Sequence, residues 1–168
     1  MAGKTLNPPS PVAGYAPGEQ RPLGGYAVLT ALFGAAVAGV SVWARRSGRE
    51  LPERVAAADL ALIMLATHKA SRLIAKDRVT SAVRAPFTRF EEEGSPGEVE
   101  EQARGSGLRR AVGELLICPY CLGMWIAAGF AAGLVLAPRA TRWLASVLVT
   151  VLGSDLLQIL YKKAESAL

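Results

Sequence analysis

Hydrophobic and polar positions separate into long uncharged runs and short charge-dense stretches. From Gly24 to Ala44 the run GGYAVLTALFGAAVAGVSVWA carries no charge and stops against Arg45 and Arg46. At about 1.5 Å of rise per residue, such a helix reaches across a hydrocarbon core of roughly 30 Å. Its apolar part exceeds a signal-peptide core and no clean cleavage site follows, so the pattern predicts an uncleaved span rather than a signal peptide. Ile117 to Ala137 (ICPYCLGMWIAAGFAAGLVLA) is a second uncharged run, ending at Pro138. A further apolar segment, helix 141–161, is interrupted between Trp143 and Tyr161 only by Asp155 and Gln158 and closed by Lys162 and Lys163. The short connector around Pro138 to Arg142 predicts a tight antiparallel hairpin between these two.

Val55 to Ala75 (VAAADLALIMLATHKASRLIA) is mixed: apolar early apart from Asp59, then carrying His68, Lys69 and Arg72. It either spans with its basic side chains snorkelling or lies along the interface as an amphipathic helix. The connection 76–114 begins with Val79, Val83, Phe87 and Phe90 at helix-like spacing among arginines, interrupted by Pro86. Its second part, EEEGSPGEVEEQARGSG, reads as a solvated, flexible, turn-prone loop, with an acidic partner-binding patch as the alternative. Residues 1–23, with five prolines among Gly, Ser and Asn, predict a disordered tail.

Composition sharpens this picture. Only 20% of the 168 residues are charged against 51% hydrophobic, where a soluble domain carries about 25% charge. The net charge of +5 raises nucleic acid as a partner, but no basic stripe interleaved with aromatics is present, and nucleic acid is set aside. The basic residues instead flank apolar runs, where they act as topology signals and as anchors for a bilayer with anionic headgroups. With four spans and an inner N-terminus, six Lys/Arg fall outside (Arg45, Arg46, Arg49, Arg54, Arg139, Arg142) and the other thirteen inside. With 55–75 on the surface, only four fall outside, so charge alone slightly favours three spans. Both arrangements put loop 76–114 and the C-terminus in the cytoplasm.

The sharpest chemical motif is Cys118-Pro119-Tyr120-Cys121 at the start of a helix, where open backbone N–H groups and the helix dipole favour thiolate. A thioredoxin-like site would need a preceding strand and an αβ domain, whereas this motif opens a span. The two thiolates are half of a tetrahedral zinc site; His68, Asp155 or a water could complete it, or two chains could pool cysteines. Zinc or iron is thus the expected cofactor if there is one, and small packing residues at a helix start are the bland reading. In the four-span arrangement His68, Lys69, Arg72, Asp155, Cys118 and Cys121 converge on one leaflet. Ionisable groups at that depth are functional or paired, and the expected pair is Asp155 with Lys69 or Arg72. Gly129 and Gly133, with neighbouring alanines, form a small ridge for helix packing within the chain or, less favoured, in a homo-oligomer.

The strings THKASRLIAKDRVTSAVRAPFTRFEEE and GEVEEQARGSGLRRAVGELLICPYCLGMWIA resemble the bacterial membrane family known as domain of unknown function 1360. The resemblance rests on Arg72, Leu73 and Asp77, on Gly113 to Leu116, and on Cys118, Cys121, Gly123 and Trp125. It covers roughly Ala56 to Tyr161, with the tail and first span outside it. It implies that 55–75 is an integral helix of a core domain spanning 55–161, and it implies no activity. The expectation is therefore an all-α, small polytopic transmembrane bundle of about four spans in a bacterial inner membrane. Its leading role is a non-enzymatic scaffold or accessory subunit whose loop 76–114 meets a cytoplasmic protein or lipid headgroups. The alternative is a thiol-redox or metal-binding protein using Cys118 and Cys121; a transporter finds little support without broken repeat halves.

Overall fold

The structure is a computed structural model that describes residues 15–16, 19, 21–49 and 51–167; most of the expected disordered tail lies outside the described residues. Four long helices dominate: α1 (Leu23–Arg46), α2 (Ala57–Ala75), and, beyond a folded connection, α5 (Pro119–Leu136) and α6 (Pro138–Glu165). Pro119 and Pro138 each occupy the first helical position, where a missing N–H costs nothing. Only Ala137 separates α5 from α6.

Three of these helices, α1, α5 and α6, are long and apolar enough to cross a membrane. They bury little of themselves in the protein: Leu32, Leu144, Leu156, Leu157 and Leu160 all face outward. Apolar faces of that extent on several sides of a helix need a non-aqueous surrounding. The fourth, α2, carries too many polar residues to qualify by composition, yet it packs chiefly on α5 and α6. Asp59 pairs with Arg142 near the starts of α2 and α6, and Lys69 pairs with Asp155 further along both. The two helices therefore run in the same direction, with α5 antiparallel to them.

Between these ion pairs the contact is small and apolar. Ala66 and Ala145 are fully buried with Phe130, against Leu62, Ile63, Ile126, Leu148 and Val149. Alanines at the crossing let helix axes approach where lipid supplies no hydrophobic drive. Helix α1 joins the others through Phe33 and Trp125, edge to face with ring centroids 5.1 Å apart, and through Gly25. A Cβ there would lie 2.6 Å from the Ala111 Cβ, so glycine is required for this approach. At the other end of α1, Arg49 donates to the carbonyls of Val135 and Leu136, satisfying the end of α5.

The expected all-α fold is corrected in the connection. After α2 come a 3₁₀ turn (Arg78–Thr80), a single helical turn α3 (Ser81–Arg84), strands β1 (Thr88–Glu93) and β2 (Val99–Ala103), and helix α4 (Gly107–Ile117). The strands pair antiparallel, Thr88 opposite Ala103 and Glu93 opposite Val99, with a bulge between Phe90 and Glu92. The segment read as a solvated loop is thus a β-hairpin. Four of its carboxylates, Glu93, Glu98, Glu100 and Glu101, meet basic residues of the preceding segment, and Val99 is buried beneath it. The backbone just beyond α2 holds it too: the Val99 N–H donates to the Lys76 carbonyl at 2.9 Å, and the Arg78 N–H to the Gly97 carbonyl at 2.9 Å. Helix α4 then packs on β2 and on α1.

Candidate functional site

The densest arrangement of chemistry lies where α2 ends. Arg72 lies in the last turn of α2 and Lys76, four residues on, caps its end. Glu98 and Glu100 stand two apart on extended chain, so they share a face there. The two segments meet in two ion pairs, Arg72 to Glu98 at 2.6 Å and Lys76 to Glu100 at 2.6 Å. Arg78 pairs with Glu93 at the hairpin tip.

Beneath these lies a buried pair that sequence reasoning missed. The Arg84 side chain is 0% exposed and that of Glu101 5%, with Nε–Oε2 at 2.9 Å and Nη2–Oε1 at 3.0 Å, a two-pronged contact. The remaining guanidinium nitrogen of Arg84, Nη1, also donates to the Ile74 carbonyl at 2.7 Å and to Thr80 Oγ1 at 2.6 Å, and Thr88 Oγ1 donates to Glu101 at 2.7 Å. Burial opposes charge on Glu101, but the hydrogen bonds from Arg84 and Thr88 outweigh it and hold the carboxyl below its usual range. Such a pair ties α2, α3 and both strands into one unit. In sequence Arg84 looks like one of several arginines between hydrophobic positions, and nothing local marks it as buried.

Of the expected intramembrane cluster, Lys69 and Asp155 come together at 2.8 Å, with side-chain exposures of 12% and 40%. Arg72 does not join them, because Glu98 takes it. Asp77 sits beside this group: burial raises its carboxyl pKa, attraction to Lys69 opposes that, and repulsion from Glu98 and Asp155 adds to it. One further polar atom is notable: Thr67 Oγ1 is buried without a hydrogen-bond partner.

The cysteines lie elsewhere, at the junction of α4 and α5. Cys118 caps α5, its sulfur accepting from the Cys121 N–H at 3.2 Å, and the two sulfurs are bridged as a disulfide. His68 is exposed on α2, and among the described residues no three His, Cys, Asp or Glu side chains gather as a metal site. Of the two ridge glycines, Gly133 touches a neighbouring helix: a Cβ would lie 2.5 Å from Thr141 Oγ1. Gly129 has nothing within 4 Å.

The family model described as "Protein of unknown function (DUF1360)" matches residues 62–161. The match takes in most of α2, the hairpin unit, α5 and most of α6, and leaves out α1. The sporulation protein YjcA of Bacillus subtilis (strain 168) is 29% identical over 107 residues, 62% of this chain and 91% of that protein. No solved structure matches.

Proposed function

We propose, for a chain that belongs to the DUF1360 family of proteins of unknown function, a non-enzymatic role as an integral membrane scaffold that presents the hairpin unit. In this reading α1, α2, α5 and α6 all span a bacterial inner membrane, with the hairpin unit and the C-terminus in the cytoplasm. The polar residues of α2 do not prevent it from spanning, since its charges face α6 and the hairpin rather than lipid. Orientation follows the excess of Lys and Arg at the hairpin end.

The observation that carries the reading is the buried Arg84–Glu101 pair. A loop that only connects spans has no need of a fully desolvated ion pair, which is expensive to bury and fixes geometry. Here it locks strands, α3 and the end of α2 into a platform whose outer surface stays charged. A cytoplasmic protein or the membrane surface is the partner such a platform suits. The relative from Bacillus subtilis bears a sporulation name, and a role in building a membrane assembly during differentiation is compatible with this reading.

Topology tests it. In a background with Cys118→Ser and Cys121→Ser, single cysteines at Ser95, Ala140 and Ser47 are exposed to a membrane-impermeant maleimide. Ser95→Cys labels only in inverted vesicles and Ala140→Cys only in intact cells if the hairpin is cytoplasmic, and Ser47→Cys, just beyond α1, labels only in intact cells if four segments span. Labelling of the first two from one side removes the arrangement.

A further inference from the structure

Five of the eight basic side chains around the hairpin unit have a carboxylate partner, and the three exceptions are informative. Arg72, Lys76, Arg78, Arg84 and Arg110 each have a carboxylate partner, respectively Glu98, Glu100, Glu93, Glu101 and Glu114. Arg89, Arg104 and Arg109 have none among the described residues; Arg89 and Arg104 line one cleft, and Arg109 meets Arg104 at a shared acceptor. Arg104 and Arg109 converge on a single neutral acceptor, the Pro86 carbonyl: Arg104 donates from 3.3 and 3.4 Å, Arg109 from 2.6 and 3.0 Å. One carbonyl has two lone pairs, so four N–H groups over-subscribe it and leave donors to spare on both guanidiniums. Arg89 is held by the neutral side chain of Gln102.

Arg89 and Arg104 open into a cavity of about 480 Å³ together with Gln102, Arg110, Glu114 and Ile117. Its only carboxylate, Glu114, is already taken by Arg110 at 2.9 Å and by the Tyr26 hydroxyl of α1. The cavity is therefore cationic and lacks an internal counter-ion. Its position is specific as well. Ile117 is the last residue of α4, and Cys118 and Pro119 begin the apolar helix α5, so one wall of the cleft runs into the membrane-crossing part.

From this geometry we infer that the cleft lined by Arg89 and Arg104, with Arg109 joined to Arg104 at the Pro86 carbonyl, binds the phosphate headgroup of an anionic phospholipid, whose acyl chains leave past Ile117 along α5. Arginine guanidiniums suit phosphate oxygens through paired N–H donors, and basic pockets at the membrane end of helices collect anionic headgroups. The apolar exit selects a lipid over a free phosphate ester, which would leave Ile117 without a partner. The inference rests on the membrane reading above.

The test uses the full chain in detergent micelles and native mass spectrometry with added phosphatidylglycerol, phosphatidylcholine or inorganic phosphate. Wild type is expected to retain phosphatidylglycerol at least about tenfold better than phosphatidylcholine. The triple variant Arg89→Gln, Arg104→Gln, Arg109→Gln loses that preference, whereas Arg45→Gln, Arg46→Gln, Arg139→Gln at the opposite end keeps it. Retention unchanged in the first variant overturns the site, and displacement of the lipid by millimolar inorganic phosphate shows a soluble anion site instead. A photoactivatable phosphatidylglycerol on wild type serves if the first variant does not fold. Crosslinks within 102–121 support the cleft, and crosslinks confined to other segments refute it. A chain that stays dispersed without detergent refutes the membrane reading, a result separate from a detergent-bound chain with no lipid preference.

Discussion

Lys69 Nζ lies 2.8 Å from Asp155 Oδ2, a charged contact between two helices that run in the same direction through the bundle. Lys69 is six residues from the end of α2, so the pair sits roughly 9 Å in from that end. A second pair, Asp59 with Arg142 at 2.8 Å, marks the other end of the same interface. Two pairs at unlike spacing admit one register between α2 and α6.

Loss of one partner leaves the other charge stranded, which costs about 3 kcal/mol for a poorly hydrated site. Asp155→Asn is thus expected to lower the thermal midpoint in detergent, and Lys69→Asp with Asp155→Lys to restore most of it. Strictly additive effects in the double-mutant cycle would show that the two residues are not coupled.

Arg84→Met should be the most damaging charge removal, at about 3–5 kcal/mol, since it strands buried Glu101. Acid should act through the same residue. The folded pKa of Glu101 is below the ordinary 4.5, so its contribution is complete above that value and is lost as pH falls through the folded one. Thermal midpoints measured from pH 7 down to pH 3 should show this loss in wild type and little of it in Glu101→Gln.

Asp77 should behave in the opposite sense. Its folded pKa is raised above 3.8, first by burial, so the ionised form penalises the native state above the folded pKa. That penalty is relieved as pH falls toward 3.8. Asp77→Asn is expected to stabilise the protein at pH 7 and to abolish any rise in midpoint on mild acidification. A loss of stability at pH 7 would show that the carboxylate is needed.

Glycine substitutions should separate contact from open space. Gly113→Ala places a Cβ 2.5 Å from the Phe87 carbonyl oxygen and 2.9 Å from the Ala103 Cβ, and backbone cannot yield as a side chain can. It should disrupt the seat of α4 on the hairpin. Gly133→Ala, against the Thr141 side chain, should cost about 1–3 kcal/mol. Gly129→Ala should fall within about 0.5 kcal/mol of wild type. Expression and midpoint in detergent rank the three.

Maleimide tagging checks the cysteines. With Cys118 and Cys121 bridged, protein denatured without reductant should take no tag and reduced protein two. Two tags before reduction would leave both thiols available for metal or redox chemistry, and metal analysis of the same sample would then decide between those.

The apolar helices were legible because lipid-facing composition is a one-dimensional signal. The uncharged run 24–44 lies within Leu23–Arg46, and Pro119 and Pro138 mark their helix starts in plain text. Pairing of Asp155 with a base on α2 was legible for a related reason, since few partners exist for a carboxylate among apolar residues. The hairpin was not. Its strands are short, and TRFEEE and VEEQA lack the apolar alternation that announces a sheet with one buried face. They are held by charges arriving from α2 and α3, which no local window contains. Arg84 was hidden likewise: burial of an arginine depends on Glu101, seventeen residues on, and on the Ile74 carbonyl ten residues back. Gly129 and Gly133 were indistinguishable by spacing, because which glycine meets a neighbour depends on helix rotation.

Alkaline carbonate extraction of membranes from cells making the full chain tests the central claim most directly. An integral bundle stays in the pellet and moves to the soluble fraction only with detergent. Release by carbonate alone, as a monodisperse protein without detergent, would contradict the lipid surroundings on which the bundle, the Lys69–Asp155 pair and the headgroup cleft all depend.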